Sequence, residues 1–307
     1  MLEDLLALVE NRSPAILRGP RRVGKTAILH GLSRRLASTY RVRHVTLEAR
    51  NIVTADDLAR VLEPSLMEDA SPAATLRARL REEASAVLLL DEIAHLLSAD
   101  ATVFAWLRAV GQESTSVVLV GSHWDWVQVV ARAALAPGSS FGNDVTPVTL
   151  GPLAEADALR FLETTAPPDV PLPATGVGRW VVERCGPWPF YLQVMGHALV
   201  QAARSGNRRA WVERAVVTEL YEGKLLVDRD TGYFRTRWAE LPARARQALW
   251  RVRQSAEGKS PEVRSLSPEE RKALRDTGLT DHLGRWVEDL PFHDWLRRIA
   301  DDSMERN

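Results

Sequence analysis

Over the first 150 residues, short apolar runs alternate with longer stretches in which apolar positions return every three or four residues. The short runs are strand-sized: Ala15–Leu17, Val42–Leu47, Val87–Leu90, Val117–Val120 and Thr146–Leu150. The periodic stretches predict helices over Lys25–Ala37, Asp56–Glu68, Pro72–Glu83, Ala101–Gly111 and Trp124–Leu135, with a polar turn at Asp69-Ala70-Ser71. Strands that alternate with helices of about 10–15 residues predict an α/β fold, a parallel sheet with helices on both faces.

The pattern changes at Gly151-Pro152. Beyond it, helical periodicity dominates: Glu155–Thr164, Gly178–Arg184, Phe190–Arg204 and Arg208–Tyr221, with a proline-rich loop over Ala166–Pro173. It breaks again around Asp228–Gly232. Helices over Ala243–Ala256 and Pro268–Thr277 then lead to a glycine-punctuated pair of short strands within Leu279–Leu290 and a closing helix from Phe292. Three regions are therefore expected, 1–152, 153–227 and 228–307, an organisation that 307 residues accommodate.

Charge sharpens this picture by exclusion. Forty Lys and Arg balance forty Asp and Glu, so the chain carries no global electrostatic signature for nucleic acid or acidic lipid. Cys185 is the only cysteine, which excludes an internal disulfide and fits a reducing compartment. The start carries Glu3 and Asp4 in place of a basic stretch, so no secretory signal is expected. No apolar run approaches the ~20 residues of a membrane span. A cytoplasmic protein without membrane contact is the expectation. The histidines are dispersed and no C-x-x-C pair is present, so a structural zinc site is not expected.

The strongest chemical signal sits between the first strand and its helix. Gly19-Pro20-Arg21-Arg22-Val23-Gly24-Lys25-Thr26 fits G-x-x-x-x-G-K-[ST] without mismatch. A strand, Ala15–Leu17, runs into it, and Ala27 opens the apolar stretch that leaves it, the context this motif requires. The glycines let consecutive backbone N–H groups turn inward, and those amides suit a polyphosphate at a helix N-terminus. Gly19 through Ala27 are thus the candidate nucleotide contacts, with Lys25 reaching the β- and γ-phosphates and the Thr26 hydroxyl placed for Mg²⁺. Leu88-Leu89-Leu90-Asp91-Glu92 is an apolar strand ending in two acids. Asp91 is the candidate metal carboxylate, and Glu92 the candidate base for the attacking water. Ser122 ends the neighbouring strand, where ligands bind in open α/β sheets, and is the candidate γ-phosphate sensor. His123 beside it is read as a neighbour of the helix cap and is assigned no chemistry.

Four segments, Gly19–Thr26, Leu88–Ile93, Val118–Ser122 and Cys185–Gln193, together resemble the STAND branch of the AAA+ ATPases, especially archaeal-type ATPases with a G-P-R-R-x-G-K-[ST] loop. The likeness covers nearly the whole chain. It implies a P-loop nucleotide-binding core over 1–152, a helical lid over 153–227 and a winged helix over 228–307. Within Gly186–Pro189 it implies that Pro189 packs near the adenine. Leu150-Gly151-Pro152-Leu153 looks like the family's passage into the lid. Two departures stand out. No Gly-Arg-Glu-like segment lies in Met1–Pro14, and Asn143 follows Phe141-Gly142 where many relatives place an arginine. The lack of such a finger, with Arg132 the one substitute considered, predicts hydrolysis that is slow or partner-dependent.

The first function expected is an ATP-binding switch, a Mg²⁺-dependent ATPase coupled to a protein partner or to self-assembly. The alternative is a DNA-binding regulator acting through the winged helix, its ATP site secondary or inactive. Arg244, Arg246, Arg251 and Arg253 recur along one helix, but Glu257, Glu262, Glu269 and Glu270 follow closely, so DNA is not the favoured partner. A small-molecule kinase would want an arginine-rich lid, and after Gly151 the chain shows acids and apolar residues instead.

Overall fold

The computed structural model describes residues 1–304 except 84, 114, 136–140, 171–173, 206–212, 228–231, 255–265 and 281–289. The chain divides into two compact units. One comprises Met1–Pro20 with Gly24–Leu150, the other Gly151–Asn307 together with Arg21–Val23.

The first unit is built on five parallel strands, β1 (Ala15–Arg18), β2 (Arg41–Thr46), β3 (Ala86–Asp91), β4 (Ser116–Gly121) and β5 (Thr146–Thr149), in the spatial order β2-β3-β4-β1-β5. Every residue of β3 and of β4 is buried, so these strands read as apolar runs rather than alternating ones. Their side chains nevertheless alternate between two cores. Leu88, Leu90, Val117 and Leu119 join one core, while Val87, Leu89, Val118 and Val120 join the other. The first core is closed by α3 (Ala55–Leu62), α4 (Pro72–Glu82), α5 (Ala101–Gln112) and α6 (His123–Ala133). The second is closed by α1 (Leu2–Glu10) and α2 (Lys25–Leu36). The expected α/β architecture is therefore what forms, a parallel sheet with a core on each face.

Several boundaries differ from the sequence expectation. Helix α1 was not anticipated, although Leu5, Leu6 and Val9 fall on one face and bury completely or nearly so. The helix expected over Asp56–Glu68 ends at Leu62 because Pro64 disfavours helical backbone at Glu63, and a 3₁₀ turn over Pro64–Leu66 follows. After Glu92 the chain makes a second 3₁₀ turn, Ile93–Ser98, which packs along α6.

The second unit is helical among its described residues: α7 (Glu155–Thr165), α8 (Arg179–Cys185), α9 (Pro189–Arg204), α10 (Arg214–Leu220), α11 (Tyr233–Glu240), α12 (Ala243–Gln254), α13 (Pro268–Asp276) and α14 (Leu290–Met304). Helix α10 starts later than the Arg208 expected, and residues 206–212 lie outside the described ones. Helix α11 was not anticipated. It starts after Gly232 and contributes Tyr233 and Phe234 to an aromatic core with Tyr191, Phe292 and Trp295. The expected strand pair falls largely on 281–289, and Asp228–Thr231, Pro171–Pro173 and Ser255–Ala256 likewise lie outside the described residues. Among the described residues, no helix is long and apolar enough to cross a membrane.

Candidate nucleotide-binding site

The carboxyl ends of β1, β3 and β4 carry the candidate residues of the first unit. Strand β1 ends at Arg18, the loop follows, and α2 begins at Lys25. Gly24 sits at the N-cap with φ of 104°, a conformation that side-chain-bearing residues avoid. A Cβ there would meet nothing within 4 Å, so the backbone angle rather than crowding demands glycine. No side chain caps α2. By contrast, α3 and α6 are closed by full capping boxes from Thr54 and Ser122. Gly24 thus offers α2 no capping side chain of the kind Thr54 and Ser122 give their helices, which suits a helix start that is to face a phosphate.

Lys25 is buried, at 9% exposure, and its Nζ donates to the carbonyls of Gly19 (3.0 Å) and Pro20 (2.8 Å). The ammonium thereby ties the start of the loop to its end. Thr26 Oγ1 donates to Asp91 Oδ2 at 2.8 Å, across 65 positions of sequence. The other carboxylate oxygen, Asp91 Oδ1, accepts from the Glu92 backbone N–H at 2.9 Å. Asp91 is held inside the sheet at 3% exposure, while Glu92 is half-buried and adopts φ of 59°. A left-handed conformation at a residue other than glycine stores strain, and such residues cluster at active sites. The sequence-predicted pair Thr26 and Asp91 is therefore brought together. Its two oxygens are hard ligands of the kind Mg²⁺ takes, adjacent enough to serve one cation.

The end of β4 comes close to the end of β3. A Cβ on Gly121 would stand 2.6 Å from Cγ1 of Ile93, the residue after Glu92. Only glycine permits that approach. Ser122 then starts α6. Its Oγ accepts from the Asp125 N–H (3.0 Å), and its own N–H donates to Asp125 Oδ2 (2.8 Å). The hydroxyl oxygen is thus occupied by capping, which leaves the hydroxyl proton as its means of contacting a phosphate.

His123 follows, and here the sequence reading missed a feature. Its Nδ1 is buried without a hydrogen-bond partner. Desolvation, with the charges of Arg18 and Lys25 nearby, pulls the imidazole down to about 4. Arg18 reaches the same place through the sheet. It pairs in register with Gly121, and its Nε donates to Thr149 Oγ1 at 3.3 Å. Burial lowers the pKa of its guanidinium. The only signal in the sequence was a histidine just past a strand end, and its cationic neighbours come from elsewhere in the chain.

Other predicted residues fall elsewhere. Arg21–Val23 group with the second unit, where the Arg22 guanidinium lies 4.5 Å from the Phe190 ring centre and the Tyr233 hydroxyl donates to the Arg21 carbonyl. Pro189 is the first residue of α9 and is half-buried. Arg132, the one substitute considered for a missing finger, donates its Nε to the Ala99 carbonyl at 3.1 Å. Asn143 stands exposed in a turn.

Comparison with known proteins agrees with this geometry. Residues 9–128 match the family model described as an AAA domain, a span that contains the loop, Asp91, Glu92, Ser122 and His123. No curated protein matches the chain. Among solved structures, the Walker-type ATPase PABY2304 of Pyrococcus abyssi is similar at 18% identity and a TM-score of 0.58, covering 96% of this chain and 94% of that one. Domain III of the replication initiation protein DnaA from Thermotoga maritima is similar at 16% identity and a TM-score of 0.45, covering 73% and 90%. Residues 9–128 are thus similar to the AAA-domain model, and the likeness to the Pyrococcus ATPase, at 18% identity, is one of fold along the chain.

Proposed function

We propose that the protein is an ATP-binding molecular switch of the STAND type, a slow Mg²⁺-dependent ATPase of the cytoplasm. In this reading nucleotide state governs conformation, and conformation governs partner binding or self-assembly. The organisation proposed is a nucleotide-binding core over 1–152, a helical lid over 153–227 with Pro189 toward the adenine, and a winged helix over 228–307.

The observation that carries the reading is the 2.8 Å hydrogen bond between Thr26 and Asp91, with Lys25 and the uncapped start of α2 beside it. Thr26 and Asp91 would hold Mg²⁺, which when bound neutralises charge across the β- and γ-phosphate oxygens. Lys25 exchanges its carbonyl partners for phosphate oxygens. Glu92 orients the attacking water and accepts its proton, and Ser122 donates its hydroxyl proton to the terminal phosphate. The exposed Asn143 and the engaged Arg132 supply no cationic finger, which supports slow turnover.

The DNA-binding alternative draws less support. Arg251 on α12 pairs with Glu270 of α13 at 2.9 Å, so part of that helix's positive charge is compensated within the unit.

The test is equilibrium binding of fluorescent ATP to the full chain. Lys25→Ala is expected to weaken affinity by roughly 100-fold, about 3 kcal/mol for a charge-assisted contact. Unchanged affinity in the variant would refute nucleotide binding at this loop.

A further inference from the structure

Three groups from different parts of the first unit converge at the end of β4. Arg18 closes β1 in register with Gly121. Lys25 opens α2. His123 opens α6 two residues after Gly121, with Nδ1 sealed from solvent and unmatched by any hydrogen bond. A buried ring nitrogen without a partner forfeits its hydration and gains nothing in return. The cap of α6 does not use this nitrogen, since Ser122 and Asp125 already complete it. The ring lies within the field of two cations, and at neutral pH it gains a second N–H only if that field is cancelled.

We propose that His123 is a charge-sensing residue of the nucleotide site, neutral in the free protein and protonated when a polyphosphate settles against Lys25. The proposal rests on the nucleotide-binding reading above and adds to it a regulation, the coupling of phosphate charge to proton uptake. A triphosphate brings more negative charge beside Lys25 than a diphosphate does, so it raises the proton affinity of the imidazole further. The imidazolium then offers N–H donors where the free protein has an unsatisfied nitrogen, and a positive charge where two cations formerly excluded one.

The charged surroundings are consistent with this direction. Arg18 from β1 and Lys25 from α2 both disfavour protonation. On its own helix, Asp125 is committed to the cap through its bond from the Ser122 N–H. The 3₁₀ turn packed along α6 carries one titratable group, His95, and Glu92 directly precedes that turn. Because the bound state holds more protons than the free state, affinity for the triphosphate rises as pH falls through the bound-state pKa. It stops rising near pH 4, where the free protein's imidazole also protonates.

The experiment is isothermal titration of the full chain with MgATP and with MgADP at pH 6 and pH 8, in buffers of different ionisation enthalpy. Wild type and His123→Gln are compared, so that protons taken up by the phosphates themselves cancel. At pH 6 with ATP, wild type is expected to take up more protons than His123→Gln, by about half a proton per site or more, and the excess should be smaller with ADP. Between pH 8 and pH 6 the ATP affinity of wild type should improve by up to about tenfold relative to that of His123→Gln. Equal proton uptake in the two proteins, with nucleotide still bound, overturns the role of His123 and leaves the nucleotide site standing. Failure of wild type to bind either nucleotide overturns both readings. If His123→Gln does not fold, nitrogen-15 NMR of the wild-type imidazole decides the matter. The ring should titrate near 4 when free and about two pH units higher or more with MgATP, and an unmoved titration refutes the proposal.

Discussion

At the end of β3, Asp91 accepts hydrogen bonds from Thr26 and from the Glu92 N–H, one on each carboxylate oxygen. At the end of β4, the next strand in the sheet, Ser122 is equally well satisfied by its cap, yet His123 leaves a buried nitrogen unmatched. The two ends differ in how fully their polar groups are satisfied, and the proposed reading gives them different duties. A site for a cation can be assembled in advance, because its oxygen ligands can bond to each other while they wait. A group that is to change its protonation with an arriving anion gains most when it is left without a partner beforehand, whereas a fixed cation such as Lys25 can wait on backbone carbonyls and exchange them. In the reading proposed above, the unsatisfied group is where the molecule would register its ligand and the satisfied pair is where it would hold the cation.

The contrast can be broken most severely at β3. Glu92→Gln should keep nucleotide affinity and lower hydrolysis by about 10²–10⁴-fold, the usual worth of a positioned base. Single-turnover phosphate release measures this, and wild-type turnover in the variant would move the base elsewhere. A smaller effect is expected where the two strand ends meet. Gly121→Ala forces a methyl to 2.6 Å from the buried Ile93. It should cost about 1–3 kcal/mol of stability in denaturant titration, and it should slow hydrolysis as well by displacing Glu92. The smallest lies at the cap. Ser122→Ala should cost about 1 kcal/mol, the value of an N-cap, and lower the melting temperature by a few degrees. If Ser122→Ala leaves stability unchanged but weakens ATP relative to ADP, the hydroxyl acts on phosphate more than on its helix.

The legibility of the two strand ends differed in the same way. Thr26 and Asp91 lie 65 positions apart, but each belongs to a motif whose local pattern states its duty, so their meeting was expected. His123 belongs to no motif. Its meaning comes from Arg18, far earlier in the chain and across a strand pairing, which periodicity does not report. Helix α1 was missed although Leu5, Leu6 and Val9 have helical spacing, Glu3 and Asp4 stand in its first turn, and Asn11 with Pro14 beyond it marks its end; the segment is only nine residues long and precedes the first strand of the alternating pattern. Helix α11 was missed for a related reason. Its aromatic residues bury against Tyr191, Phe292 and Trp295 from distant helices, and its own sequence shows little amphipathic pattern.

What the sequence by itself determined was local: the apolar runs that must become buried strands, the glycines that must curl a loop, and the acids that must end β3. Backbone propensity and the spacing of a few residues suffice for each of these. The tertiary structure alone decided the strand order that sets β4 between β1 and β3, and with it the company His123 keeps. Electrostatic environment is a property of what lies within a few ångströms in space, and sheet pairing brings together charges that the chain itself keeps far apart.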